Sequence, residues 1–277
     1  MIRRTRRLRS LSFALLAGLL LAAAGCGGQA PASGGAASSG TASSSSSSSG
    51  ATGKSYLQVG TEAAYAPFES VDPATGKYVG FDMELIDAVA KAAGFAGAQI
   101  HNIKWDGLIP ALNDHEVDAV ISAMTITDDR AKSVTFSDPY FTAGQVIGVK
   151  QGSSIKTPDD LAGKKVGVQA NTTGDYAAQK VKGAIVVRYP QTPDAINALL
   201  NGDVEAVVID APVLYNFIKE NPDRGVVAAG EPFTVEYYGI AMRKGDTELA
   251  AKINQALAKV KADGTYQKLY DKYFAAK

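Results

Sequence analysis

The sequence predicts an α/β protein built as two lobes, and three features predict it. Strand-like and helix-like segments alternate after residue 54, the pattern of parallel sheets covered by helices. Ile109–Ala123 (IPALNDHEVDAVISA) aligns without gaps to Ile196–Asp210 (INALLNGDVEAVVID) with six identities, so one helix–turn–strand unit recurs. Roughly 220 residues follow the N-terminal segment, enough for two modest lobes or one large domain.

In chain order, Tyr56–Gly60 reads as a strand. Asp82–Ala93 carries Leu85, Ile86, Val89, Ala90 and Ala93 at helical spacing, with Asp82 placed to cap its start. Each copy of the repeat reads as helix, turn and buried strand. Between the copies, Lys165–Gln169 is a strand, Thr173–Val181 a helix and Ala184–Arg188 a strand. Ligands of parallel α/β sheets bind beyond the carboxyl ends of the strands. Those ends carry Ser122–Thr125 in the first copy and Asp210 in the second, so two facing edges would line one cleft.

The N-terminus predicts export. Arg3, Arg4, Arg6, Arg7 and Arg9 precede an apolar run from Leu11 to Ala24, about 14 residues and short of the roughly 20 that span a bilayer. The only cysteine, Cys26, follows Ala23-Ala24-Gly25, which resembles a bacterial lipobox and predicts a lipoprotein signal over 1–26 with lipid on Cys26. With no second cysteine there is no disulfide. Residues 27–54 are almost wholly Gly, Ala, Ser, Thr and Pro, a composition that cannot offset its ordering entropy and reads as a disordered tether.

Several function classes are disfavoured. Without the five signal arginines the chain has 23 basic residues against 28 acidic, with no basic run, so nucleic acid is not an expected partner. No G-x-S-x-G is present. The Gly-Lys pairs at Gly53, Gly76 and Gly163 lack the upstream glycine of a phosphate loop. His101 and His115 have no partner at ligand spacing, so neither a metal nor another cofactor is expected.

Gly80-Phe81-Asp82-Met83-Glu84-Leu85 resembles the signature of solute-binding proteins of family 3, the polar amino-acid receptors of ABC transporters. The likeness extends over nearly all of 55–277, through Gly60–Phe68, Met124–Arg130, Phe136–Tyr140, Gln169–Gly174, Ile209-Asp210 and Asp263–Tyr266. The glutamine- and arginine-binding branch is the nearest match. The resemblance implies a type II periplasmic-binding-protein-like fold, with lobe 1 at 55–142 plus 239–277 and lobe 2 at 146–235. Hinge strands are expected near Ala143–Gly148 and Glu236–Ala241. It also implies a monomer that meets the membrane only through its lipid and hands a free L-amino acid to an ABC permease outside the cytoplasm.

The resemblance also assigns ligand contacts. Arg130, in the first turn of a helix that Thr127 can cap, would grip the ligand carboxylate bidentately; read alone, it equally balances Asp128 and Asp129. Thr125 would offer its hydroxyl and Thr172-Thr173 a helix N-terminus to the same carboxylate. Asp210 would meet the α-ammonium beside the Ser122-Ala123 backbone; its alternative is a helix N-cap. Tyr65 and Trp105 would sandwich the side chain, the alternative being core packing. Glu62 and Gln169 would meet its far end. An acceptor there favours arginine or lysine, then glutamine, and repels acidic ligands. The rival class is an enzyme, since some relatives are cyclohexadienyl dehydratases, which would need a proton-donating acid in the cleft. A ligand-sensing domain of a channel or kinase is the third.

Overall fold

The structure, a computed structural model, describes residues 55–275. The export signal, Cys26 and the tether lie outside the described residues.

The chain begins with β1 (Leu57–Thr61) and a small antiparallel sheet of β2 (Ala64–Tyr65), β3 (Glu69–Val71) and β4 (Tyr78–Val79). Then come α1 (Phe81–Ala92), β5 (Ala98–Asn102), α2 (Leu108–Asn113), β6 (Ala119–Val120), α3 (Asp128–Ser133), β7 (Val134–Phe136) and β8 (Phe141–Ala143). The second half runs β9 (Gln145–Lys150), β10 (Lys165–Gln169), α4 (Thr173–Lys180), β11 (Ile185–Tyr189), α5 (Thr192–Asn201), β12 (Ala206–Asp210), α6 (Ala211–Glu220) and β13 (Val226–Ala229). It returns through β14 (Glu236–Tyr238) and β15 (Ala241–Arg243) to α7 (Thr247–Ala262) and α8 (Thr265–Phe274).

Two five-stranded sheets result, ordered β5-β1-β6-β15-β7 and β11-β10-β12-β9-β13. In each, three parallel strands are followed by one that enters antiparallel. The repeat explains the equivalence. Its first copy supplies α2 and β6, its second α5 and β12, and both strands take the third position. Their registers correspond as well: Ala119 and Val120 pair with Val59 and Gly60, while Ala206 and Val207 pair with Val166 and Gly167. The two copies therefore sit in separate sheets.

The expected segments form within a residue or two. β12 is buried at every position, as a strand covered on both faces must be. Pro193 starts α5 and Gly202, at φ 84°, ends it. One expectation is corrected: Asp82 does not cap α1. The cap position is Gly80, at φ 133°, where a Cβ would lie 2.1 Å from the Phe68 carbonyl oxygen. Asp82 points inward instead and is fully buried.

The first lobe's core centres on Phe68, enclosed by the rings of Phe81, Phe141, Tyr238 and Phe274 at 4.9–6.2 Å. The two sheets are joined by the antiparallel pair β8 and β14, in which Glu236 lies opposite Ala143. At Gly144, between β8 and β9, a Cβ would stand 2.1 Å from the Thr234 carbonyl oxygen, so only glycine lets the two connections run this close. Tyr65 packs against the cores of both lobes.

Candidate functional site

The carboxyl ends of β1, β6, β10 and β12 converge on one cleft. All the residues singled out as ligand contacts line it, from Glu62, Tyr65 and Trp105 through Ser122, Ala123, Thr125 and Arg130 to Gln169, Thr172, Thr173 and Asp210.

At one end stands Arg130. Thr127 caps α3 by accepting the Arg130 backbone N–H at 3.2 Å, which sets the arginine on the first turn. Its guanidinium donates to the Thr125 carbonyl at 2.8 Å and lies 4.9 Å over the Trp105 ring, so one face of that indole is taken. Burial lowers the arginine's pKa, and the charges of Asp210 and Glu236 oppose the shift. Facing it is the N-terminus of α4. Thr172, rather than Thr173, is the cap, accepting from the Asp175 N–H at 3.2 Å. The Thr125 and Thr173 hydroxyls both donate to Glu236 Oε2, at 2.7 and 2.8 Å.

In the middle, Asp210 ends β12 with its carboxylate buried. It occupies the N-cap position of α6 but makes no side-chain cap bond; Tyr238 and Gln145 donate to it instead. Burial, reinforced by the Glu236 charge, pushes its pKa up to about 6. Beside it, Ala123 adopts φ 44°, a left-handed conformation that costs a non-glycine residue energy. Asp82 holds it there, accepting the Ala123 N–H at 2.8 Å and the Tyr140 hydroxyl at 2.7 Å. The inward turn of Asp82 therefore shapes the loop that follows β6 at the cleft. The Ser122 hydroxyl donates to Glu69 at 3.1 Å and accepts from the Glu62 N–H at 3.1 Å. Glu69 and Asp82 each keep one buried oxygen without a partner. Burial, with Asp82 alongside, raises Glu69 well above its ordinary value, and burial brings Asp82 to about 6.

At the far end, Glu62 accepts from Gln169 Nε2 at 2.6 Å, Gln191 Nε2 at 3.3 Å and the Trp105 N–H at 3.3 Å. Thr192 donates to Gln169 Oε1 at 2.9 Å, so the amide turns its NH2 toward Glu62 and its oxygen away. These glutamine contacts cross from one lobe to the other. So do the bonds from Trp105 Nε1 to the Asn171 carbonyl at 3.2 Å and from Asn171 Nδ2 to Asp106 at 3.0 Å. The lobes are closed on each other.

Sequence reasoning missed Glu69, Gln145, Thr192 and Gln191, and the group behind the cleft, Glu236. A local signal existed only for Glu69, which directly follows the quoted Gly60–Phe68 motif. The others matter through contacts 23 to 129 residues away in sequence. Among the described residues no group of three or more His, Cys, Asp or Glu is placed to hold a metal ion, and no helix is long and apolar enough to cross a membrane.

Comparison with known proteins agrees with this architecture. A probable histidine-binding protein of Neisseria gonorrhoeae is 41% identical over 272 residues, covering 95% of this chain and 94% of the relative. The arginine-, lysine-, histidine-binding protein ArtJ of Geobacillus stearothermophilus superposes with a TM-score of 0.75 at 46% identity, over 80% of this chain and 96% of that one. An ancestral arginine-binding protein, solved with arginine and with glutamine, superposes with a TM-score of 0.77 at 48% identity, over 80% of this chain and 99% of that one. Residues 57–276 match the family described as bacterial extracellular solute-binding proteins, family 3, and the chain belongs to that family.

Proposed function

We propose that this protein captures a free L-amino acid outside the cytoplasm, arginine or lysine in preference to glutamine, and delivers it to an ABC permease. The reading assigns the ligand's carboxylate to Arg130 and the helix start at Thr172-Thr173, and its ammonium to Asp210 beside Ser122-Ala123. The side chain runs past Tyr65 and Trp105 to Glu62 and Gln169.

The observation that carries it is the charge balance of the cleft. Glu62 and Asp210 line it against a single cation, Arg130, while burial disfavours a charge on the neighbouring Glu69. A zwitterion satisfies Arg130 and Asp210 and leaves Glu62 as an acceptor, which suits a guanidinium or ammonium. Glu62 can also accept from a carboxamide NH2, which ranks second, and it repels a carboxylate. The relatives named for arginine, lysine and histidine support the cationic preference, and the ancestral protein solved with glutamine supports the second place.

A thermal-shift screen against the twenty amino acids tests this. A ligand at one hundred times its dissociation constant adds about 2.7 kcal/mol of stability. Arginine and lysine are expected to raise the melting temperature most. Equal stabilisation by glutamate, or turnover of prephenate or arogenate, would overturn it. Anchoring through Cys26 predicts that Cys26→Ser moves the protein from the membrane fraction to the soluble one; retention on the membrane would refute that anchor.

A further inference from the structure

Glu236 opens one of the expected hinge strands and is not among the residues lining the cleft, yet it is buried where the two lobes and both connections between them meet. It sits on β14, one of the two connections between the lobes. Its Oε2 accepts from Thr125 of the first lobe at 2.7 Å and from Thr173 of the second at 2.8 Å. Its Oε1 accepts from Gln145, where β9 begins, at 3.2 Å and from Thr234 at 3.1 Å. Thr125 travels with the β14 connection: it forms a β-bridge with Tyr238, and Ile126 N–H donates to the Tyr237 carbonyl at 2.8 Å. Thr173 does not. It opens α4, whose N-terminal dipole also favours a carboxylate at this place.

The consequence is geometric. Rotation of the second lobe away from the first carries Thr173 off Glu236 while Thr125 stays. The carboxylate therefore gains its full set of donors only when the lobes are shut, and all of those donors are protein groups. Hydrogen bonds to a charged acceptor are among the stronger ones. The same contacts spend the hydroxyl protons of Thr125 and Thr173, so the expected donation from the Thr125 hydroxyl to a ligand carboxylate does not hold in this arrangement, and they fix how these two residues face the cleft.

We propose that Glu236 is a positioning residue that fastens the two lobes at their hinge, biasing the protein toward closure and holding Thr125 and Thr173 in place for the ligand. Its effect on affinity rests on the amino-acid reading above; its effect on closure does not.

The test uses the full chain with Cys26→Ser, which removes the only native thiol. Spin labels go on Asp129→Cys and Lys180→Cys, two exposed positions at the mouth between the lobes. Inter-label distances are measured with and without arginine in the parent, Glu236→Ala and Glu236→Gln, each checked for folding by circular dichroism. The expected result is a shift of the free variants to longer distances, larger for Ala than for Gln. Arginine should restore the parent's short distance, with a dissociation constant raised by about tenfold or more, the scale of one hydrogen bond to a charged group. A folded Glu236→Ala with the parent's free distance distribution overturns the proposal, even if its melting temperature falls. Should Glu236→Ala fail to fold, the same outcome in Glu236→Gln overturns it. If arginine neither shortens the distance in an opened Glu236→Ala nor raises the parent's melting temperature, the amino-acid reading fails, and the comparison of free variants still decides the role of Glu236.

Discussion

Replacing Arg130 with alanine isolates the group on which the ligand reading leans most. In the structure the guanidinium is half-buried, gives one N–H to the Thr125 carbonyl and rests over Trp105. A guanidinium has five donors, so after that one bond the remaining N–H groups can still chelate a carboxylate. Removing one partner of a buried, hydrogen-bonded charge pair costs about 2–5 kcal/mol, or roughly 30- to several-thousand-fold in affinity. The fold should lose far less, about 1 kcal/mol for the single protein hydrogen bond. Arg130→Lys separates charge from geometry: it keeps the cation and loses the fork, and an intermediate loss of about tenfold is expected. Isothermal titration calorimetry with arginine measures the affinities, and urea denaturation measures the stabilities. An alanine variant that binds as the parent does would leave Arg130 a structural partner of Trp105 and the Thr125 carbonyl, and the carboxylate assignment would fall.

Further predictions follow from other parts of the cleft and core. Asp82 and Asp210 both have folded pKa values raised from 3.8 to about 6, so between those values the native state holds more protons than the unfolded chain. Stability of the free protein should therefore fall as pH rises from 5 to 7, by about 1 kcal/mol for each group, and Asp210→Asn should remove its share. A rise over that window, or an unchanged slope in the variant, contradicts the burial argument. Glu62→Gln should weaken arginine by about tenfold or more through loss of a charged acceptor, and glutamine much less; equal losses would detach Glu62 from the ligand's far end. Phe68→Ala, at the centre of the aromatic cluster, should cost about 3–5 kcal/mol in urea denaturation. A loss below about 1 kcal/mol would mean the surrounding rings collapse into the space.

The sheets were legible because period and length are local properties: Lys165–Gln169 is a strand over the same residues in the sequence reading and in the structure. The repeat conveyed more, since the matched register of Ala119-Val120 and Ala206-Val207 against their central strands follows from equivalent units in equivalent places. Asp82 shows where local reasoning stops. An acidic residue in a first helical turn looks like a cap, yet a strand end 41 residues away takes its carboxylate. Glu236 was reached only as the start of an expected hinge strand. Nothing near it in sequence marks a binding residue, and its partners Thr125 and Thr173 meet only because the two lobes share a hinge. Most of the candidate contacts, Arg130, Glu62, Tyr65 and Trp105 among them, came from the resemblance to a family and not from their own surroundings in the sequence. What single-sequence reading missed were groups made important by distant neighbours.

The central claim is that the cleft selects a cationic amino acid by meeting its far end with Glu62 and no opposing cation. Calorimetric competition of lysine, glutamine and glutamate against bound arginine tests it most directly. Lysine should displace arginine most readily and glutamine at higher concentration, while glutamate should not compete. Glutamate displacing arginine, or glutamine binding more tightly than arginine, would contradict it.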